Sequence, residues 1–407
     1  MSRSRNNHAG GPSRSTDPPV WKRFAQGFVA LTAVLASLLL AEGLLWLLAP
    51  QQLISLDGHQ IWQPDDDLGW RVKSNVDTFV NTGEGSVHLV TDARGMRIGA
   101  QDARSQGQPG AFRILAVGDS FVEALGVDYE ATLPRRLELD VSRLCGKPVA
   151  VSAIAASGWN PHQYLRAARR ELQTRRYDLG LIFLYAANDI VANTPAITNT
   201  QIGRTSEFRI PRAWTRDAWT RSLLHPVNDF LEQRSHLFVL LKTRGASSLA
   251  RLGLTSAYFP QVFRKTFAAS PDWNATVAVC REIRWEFDRH DTPVVFVLLP
   301  AGYQVHQDIF ESYVDAFAIE RNAVDLEQPN RILGCVFAKA SMTLLDPLNV
   351  MRAKVLHCGS LFGQIDRHLN AAGNAVVSRY VAQALADAGK RPSRQAASAT
   401  LEPERDP

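Results

Sequence analysis

Three textures of hydrophobicity follow one another along the chain. Residues 24–49 are almost wholly apolar, with Glu42 the one acid among them, and about 20 apolar residues are enough to cross a bilayer. Residues 51–111 then change to short alternations of apolar and polar positions. Two of these, 61–70 and 87–97, predict a small antiparallel piece with turns, packed as a flap on the main body. From residue 112 onward, short apolar runs alternate with longer amphipathic ones. They predict strands near 112–117, 148–154, 178–185, 293–299 and 343–346, with helices between them, for example over 133–145, 161–175 and 276–290. Such alternation implies a parallel sheet covered on both faces. The expected fold class is α/β, a flavodoxin-like three-layer sandwich with about five parallel strands, a helical insertion and an N-terminal transmembrane helix.

The insertion is expected because the interval between the third and fourth strands far exceeds a normal crossover. Within it, Val227, Phe230, Leu231, Leu237, Phe238 and Leu241 suit an amphipathic helix over 226–244. Trp214, Trp219, Tyr258 and Trp273 are scattered around it. They would pack as core or stack on sugar rings in a wall or lid over the site.

Charge sharpens the reading of the apolar block. Arg3, Arg5, Arg14, Lys22 and Arg23 precede it against one acid, Asp17, while Asp57, Asp65, Asp66 and Asp67 follow it. By the positive-inside rule this is an uncleaved anchor with its N-terminus in the cytoplasm and the rest exported. A cleaved signal peptide is the rival, disfavoured by the length of the run and by Pro50 directly after Ala49. The net charge of +5 comes from 45 basic and 40 acidic residues spread along the chain, which does not point to nucleic acid. Cys145, Cys280, Cys335 and Cys358 lie far apart with no CxxC, so they form no metal or redox motif and no cofactor is expected. In an exported domain Cys335 and Cys358 are the first pair to consider for a disulfide, with free thiols as the alternative.

Candidate chemistry lies in the loops after the predicted strands. After the first comes Gly118-Asp119-Ser120, where Gly118 permits a sharp turn and Asp119 or Ser120 can cap a helix. Gly158 follows the second, Asn188-Asp189 the third, and Asp366-Arg367-His368-Leu369-Asn370 the fifth. In an open parallel sheet these loops share one edge. A serine hydroxyl needs a base to take its proton, and the base needs an acid to orient it. Charge developing on an attacked carbonyl needs donors aimed at it. Read singly, Gly158 is a turn residue, Asn188-Asp189 a helix cap and His368 a surface histidine; Asn370 suits the N-cap of the last helix.

In that order the blocks resemble the SGNH (GDSL-type) hydrolases, and among them the membrane-anchored bacterial branch related to polysaccharide O-acetylation proteins. The likeness runs from about Trp62 to Leu385 and includes Asp67-Leu68-Gly69-Trp70 and Arg94-Gly95-Met96-Arg97. It implies Ser120 as nucleophile, His368 as base and Asp366 as its acid, with Ser120 N–H, Gly158 N–H and the Asn188 side chain as oxyanion donors. Asp366 stands only two residues before His368, where many relatives have three, so Asp346 is the alternative acid. The division implied is a disordered cytoplasmic tail (1–23), an anchor (24–49), a connecting region (50–111), a hydrolase-like domain (112–389) holding the insertion (190–275), and a disordered tail (390–407). The expected activity is ester hydrolysis or O-acyl transfer through an acyl-Ser120 intermediate, on O-acetyl groups of an exported or cell-envelope carbohydrate. Expected partners are that O-acylated substrate, the inner membrane through the N-terminal helix, and envelope-complex proteins. The alternatives are a non-catalytic glycan-binding or scaffold member of an envelope complex, and a lipid esterase.

Overall fold

The computed structural model describes residues 20–56, 58–99, 110–190, 227–228, 230–251, 259–317 and 319–390. Helix α1 (Val20–Leu48) starts before residue 24, so Lys22 and Arg23 lie inside it. From Trp21 to Leu48 it is long and apolar enough to cross a membrane. Its two hydroxyls are satisfied within the helix, Thr32 on the Phe28 carbonyl and Ser37 on the Ala33 carbonyl, as an apolar surrounding requires.

Two small antiparallel sheets follow. β1 (Trp62–Asp65) pairs with β2 (Gly69–Val72), and β3 (Asp77–Asn81), β4 (Ser86–Thr91) and β5 (Arg97–Ile98) form a meander. The main sheet holds β6 (Phe112–Gly118), β7 (Val149–Ala155), β8 (Leu179–Tyr185), β9 (Val294–Leu299) and β10 (Leu344–Leu345). Its order is β7-β6-β8-β9-β10, every pair parallel. This is the flavodoxin-like order, with the switch point beside β6.

Successive residues of each central strand point into opposite cores, which makes three layers. Ile114, Ala116, Leu181, Phe183, Val297 and Leu299 meet α3 (Leu133–Cys145), α9 (Leu348–Cys358) and α10 (Ala371–Lys390). Leu115, Val117, Ile182, Leu184, Phe296 and Leu298 share a core with α4 (Pro161–Leu172), α6 (Asp272–Asp288), α7 (Gln307–Phe317) and α8 (Gln328–Lys339). Ile61, Trp62, Trp70, Val80 and Leu89 belong to this second core. The hairpins therefore pack on the sheet itself.

Of the insertion, α5 (His236–Arg251) is seen, with helical residues at 227–228 and 230–232 before it. The expected helix over 226–244 is thus broken: the Ser235 hydroxyl accepts the Phe238 N–H and starts a new helix. Trp273 is core, donating to the Phe267 carbonyl. Trp214, Trp219, Tyr258 and the two predicted tails up to residue 19 and from residue 391 lie outside the described residues. All four cysteines are free, Cys335 and Cys358 included, so the suggested pairing is not made; Cys280 alone is buried.

Candidate active site

The nucleophile candidate begins a one-turn helix, α2 (Ser120–Glu123), directly after β6. Asp119 caps it by accepting the Phe121 N–H at 3.0 Å. Gly118 is required by packing rather than by its turn: a Cβ there would fall 2.5 Å from Val122. Ser120 Oγ lies 2.7 Å from His368 Nε2, within the reach a serine and its base need. The Phe121 ring packs against that of His368, 4.9 Å centre to centre and tilted by 56°.

Behind the imidazole stands Asp366. Its Oδ2 is 3.8 Å from His368 Nδ1 and its Oδ1 accepts the His368 backbone N–H at 3.0 Å. The ring contact is longer than a tight hydrogen bond, a looseness common before substrate binds. The two-residue step is accommodated by Arg367, whose φ of +63° turns the chain through the left-handed region. Burial opposes the charge of Asp366, but His368 and the Thr82 hydroxyl outweigh it and hold the carboxyl below its usual range. Asp346 does not compete. Its oxygens accept from the Asn330 amide and the Leu348 N–H, where it serves the start of α9. Asn370 caps α10, accepting from Ala372 and Gly373.

The three donor candidates stand on adjoining strands: Ser120 after β6, Gly158 after β7 and Asn188 after β8. The Ser120 N–H is one of the free donors of a helix start. Among the described residues, neither the Gly158 N–H nor the Asn188 side-chain amide has a hydrogen-bond partner. Gly158 holds φ +79°, a conformation that favours glycine. Asp189, the neighbour of Asn188, is no helix cap. Its Oδ2 accepts from the Tyr164 hydroxyl at 2.9 Å and the Tyr185 N–H at 2.8 Å. Full burial and the nearby Asp119 charge push its pKa well above the carboxylate range. It is a buried structural acid that closes its own turn. Asp119 is pushed up to about 6, by burial first, against the Phe121 N–H and His368 that favour its charge.

Residues that sequence reading missed come from the hairpins. Thr82 donates to Asp366 Oδ2 at 2.7 Å, and Glu84 Oε1 accepts the N–H groups of Ile365 and Asp366. Both sit in the β3–β4 turn, whose Gly83 lies against Ile365. A Cβ at Gly126 or Gly363 would collide with the Asp366 carboxylate, beside Thr82 and Glu84 respectively. The acid is thus held from several directions. A second hairpin grips the donor loop. Buried Glu123 accepts from the Trp62 indole at 2.7 Å and from the N–H and hydroxyl of Ser157, each at 2.6 Å. Trp70 donates to the Ser157 carbonyl, and Trp159 donates back to the Trp70 carbonyl. Burial pushes Glu123 up to about 6 against these donors and Arg97. Arg97 itself donates to the carbonyls of Ala124 and Val127, which explains one arginine of the Arg94–Arg97 block. The only available signal was the turn Asn81-Thr82-Gly83-Glu84-Gly85, a polar glycine-flanked tip between alternating strands. Among the described residues, no group of three or more His, Cys, Asp or Glu side chains could hold a metal.

No family model matches this chain, and no curated protein matches it. Several solved structures do. One is a member of the lipolytic G-D-S-L family from Veillonella parvula, at 12% identity over 67% of this chain and 97% of that one, with a TM-score of 0.35. Another is a GDSL-like lipase from Bacteroides thetaiotaomicron, at 10% identity over 71% and 96%, with a TM-score of 0.34. A third is an acetyl xylan esterase, at 12% identity over 67% and 99%, with a TM-score of 0.36. The chain is similar to GDSL-type hydrolases. The reading of the reaction rests on the geometry of Ser120, His368 and Asp366.

Proposed function

We propose that this chain is a serine-dependent ester hydrolase or O-acyltransferase working through an acyl-Ser120 intermediate. The observation that carries the reading is the 2.7 Å contact between Ser120 Oγ and His368 Nε2, with Asp366 behind the ring. His368 takes the Ser120 proton as Oγ adds to the ester carbonyl. The resulting oxyanion is received by the Ser120 and Gly158 N–H groups and the Asn188 amide, none of which has a competing partner among the described residues. Collapse breaks the bond to the alcohol, which leaves with the proton from His368. Water then adds to the acyl group to release an acid, or a sugar hydroxyl adds to form a new ester. Asp366 stabilises the imidazolium in both halves.

The substrate we propose is an O-acetyl ester on an exported or cell-envelope carbohydrate. Two things support it: the resemblance of the motif blocks to O-acetylation proteins, and the charge asymmetry around α1, which favours an N-in, C-out anchor. A lipid esterase is the second reading, because α1 is long and apolar enough to hold the domain beside a bilayer. Incubating the full chain with aryl acetates of rising chain length, with and without an oligosaccharide acceptor, tests these together. Acetyl selectivity with acyl transfer to the sugar supports the proposal. Preference for long acyl chains supports the lipid reading, and failure of Ser120 to react with a fluorophosphonate refutes both. For topology, alkaline phosphatase fused after residue 60 should be active and β-galactosidase inactive; the reverse would overturn the orientation.

A further inference from the structure

Glu42 lies in the apolar helix α1, where an acid is costly unless it is partnered. It is fully engaged. Its carboxylate accepts the Ser235 hydroxyl at 2.7 Å, the His236 N–H at 2.7 Å and the Leu237 N–H at 3.0 Å. Glu42 thus takes the free donors at the start of α5. Two more bonds bind this segment to the chain just beyond the anchor: Gln51 N–H donates to His236 Nδ1 at 2.9 Å, and Ile54 N–H to the Glu232 carbonyl at 3.2 Å.

The helix repeat fixes the level of this joint. From Phe24, next to Lys22 and Arg23, to Glu42 is about 27 Å along the axis at about 1.5 Å per residue. That is close to the roughly 30 Å of a bilayer's hydrocarbon layer. Glu42 and the start of α5 therefore fall at the outer boundary of that layer. Exposed Leu44, Trp46, Leu47 and Leu48 continue α1 beyond them, and a tryptophan suits the interface. Beside this joint the segment before and within α5 exposes Val227 (54%), Phe230 (55%) and Leu241 (59%). The Arg234 guanidinium covers the Phe230 ring at 4.6 Å. Apolar side chains with a cation above them match the boundary between acyl chains and headgroups.

We propose that residues 227–228 and 230–241 lie in the outer headgroup layer, with Phe230, Val227 and Leu241 reaching into the acyl boundary. They would act as a second membrane contact, coupled to α1 by Glu42. The hydrolase domain is then seated on the bilayer at a fixed height rather than tethered by a loose linker. This rests on the anchor reading of α1.

The test uses the full chain in vesicles of tritiated phosphatidylcholine and phosphatidylglycerol, with p-benzoylphenylalanine placed singly at positions 35, 230, 241 and 356. Position 35 is the middle of α1, and Leu356 is a still more exposed apolar residue (84%) on α9. Lipid label at 230 and 241 should exceed that at 356 by at least about fivefold, as expected of an interfacial face. Glu42→Ala should cut the label at 230 and 241 at least about threefold and leave position 35 unchanged. If 35 takes up lipid while 230 and 241 match 356, the anchor stands and the second contact is overturned. If 35 takes up no lipid, the anchor reading fails and the proposal with it. A cross-linked dimer at 230 or 241 in place of lipid would make the face a contact between copies, and would also overturn it.

Discussion

The carboxyl edge of the main sheet and the N-terminal hairpins are both built from short strands, yet they contribute in opposite ways. The sheet edge presents reactive groups: Ser120, Gly158 and Asn188 on adjoining loops, and His368 brought to Ser120 at 2.7 Å. The hairpins present none. They supply Thr82 and Glu84 to the Asp366 turn, and Trp62 and Trp70 to Glu123 and Ser157 beside Gly158. In the proposed mechanism one region carries the chemistry and the other fixes its geometry. The difference predicts separate penalties. Loss of a sheet-edge group should remove a step, whereas loss of a hairpin contact should loosen one.

The largest effect is expected at the Ser120–His368 pair. Ser120→Ala and His368→Ala should each lower kcat by about 10⁵–10⁶, with the double variant hardly worse than either, because the two act as one unit. Circular dichroism should find all three folded. Penalties that multiply in the double variant would contradict a shared step. Asp366→Asn comes next. It preserves shape but supports the wrong imidazole tautomer, so a loss approaching about 10⁴ is expected. A loss of only a fewfold would make the site a dyad. Asn188→Ala should lower kcat by about 10²–10³ with KM nearly unchanged, the mark of a group used in the transition state. A rise in KM at constant kcat would instead make Asn188 a substrate-binding residue.

Smaller effects should come from the acid clamp. Thr82→Val removes the hydroxyl that donates to Asp366 and keeps the shape. We expect kcat to fall about tenfold, equivalent to about 1.4 kcal/mol, with restoration in Thr82→Ser. The pH dependence follows from the depressed pKa of Asp366. A carboxyl held below its unfolded value stabilises the fold above that value, and this is lost as pH falls through the folded pKa. With the donor gone the folded pKa moves up towards the unfolded one, so the loss should be smaller and complete at a higher pH. Identical acid unfolding of Thr82→Val and the parent would show that the bond has no role in holding the charge.

Which parts were legible follows from how far apart in sequence the interacting groups are. Each central strand was readable because its own alternation between two cores fixes it: Leu115 and Val117 face one way, Ile114 and Ala116 the other. Ser120, Gly158, Asn188 and His368 were readable as a set through the resemblance of their blocks to the SGNH hydrolases, together with a parallel sheet that puts the loops after its strands on one edge. The Asp366 clamp was not. Thr82 and Asp366 are far apart in the chain, and nothing in the spacing of either predicts the other. The alternations at 61–70 and 87–97 predicted strands and a packed flap, but no periodicity states which turn a hairpin tip will touch. The insertion was half legible. Its apolar residues gave a helix, while the break at Ser235 depends on a capping contact and on Glu42 from α1.

The smallest expected effect lies at Glu123, and it tests whether the hairpin's hold on the Gly158 loop depends on charge. Glu123 is buried and pushed up to about 6 from an ordinary 4.5. A folded pKa above the unfolded one means the native state binds the proton more tightly. That stabilisation is complete below the unfolded value and is lost as pH rises through about 6. A shift of this size is worth about 2 kcal/mol between the two limits. Glu123→Gln keeps the shape and one acceptor for Ser157 and Trp62 but cannot ionise. The parent should therefore lose stability relative to the variant as pH rises, so that Tm of the parent minus Tm of the variant falls by a few degrees between about pH 4.5 and about pH 7.5. Activity at neutral pH should change by no more than about tenfold, since the reacting groups remain in place. A gap in Tm that stays constant with pH would mean that the Trp62 and Ser157 donors hold Glu123 ionised throughout. The hairpin would then fix the loop by an ion's hydrogen bonds, with burial a minor influence on that proton.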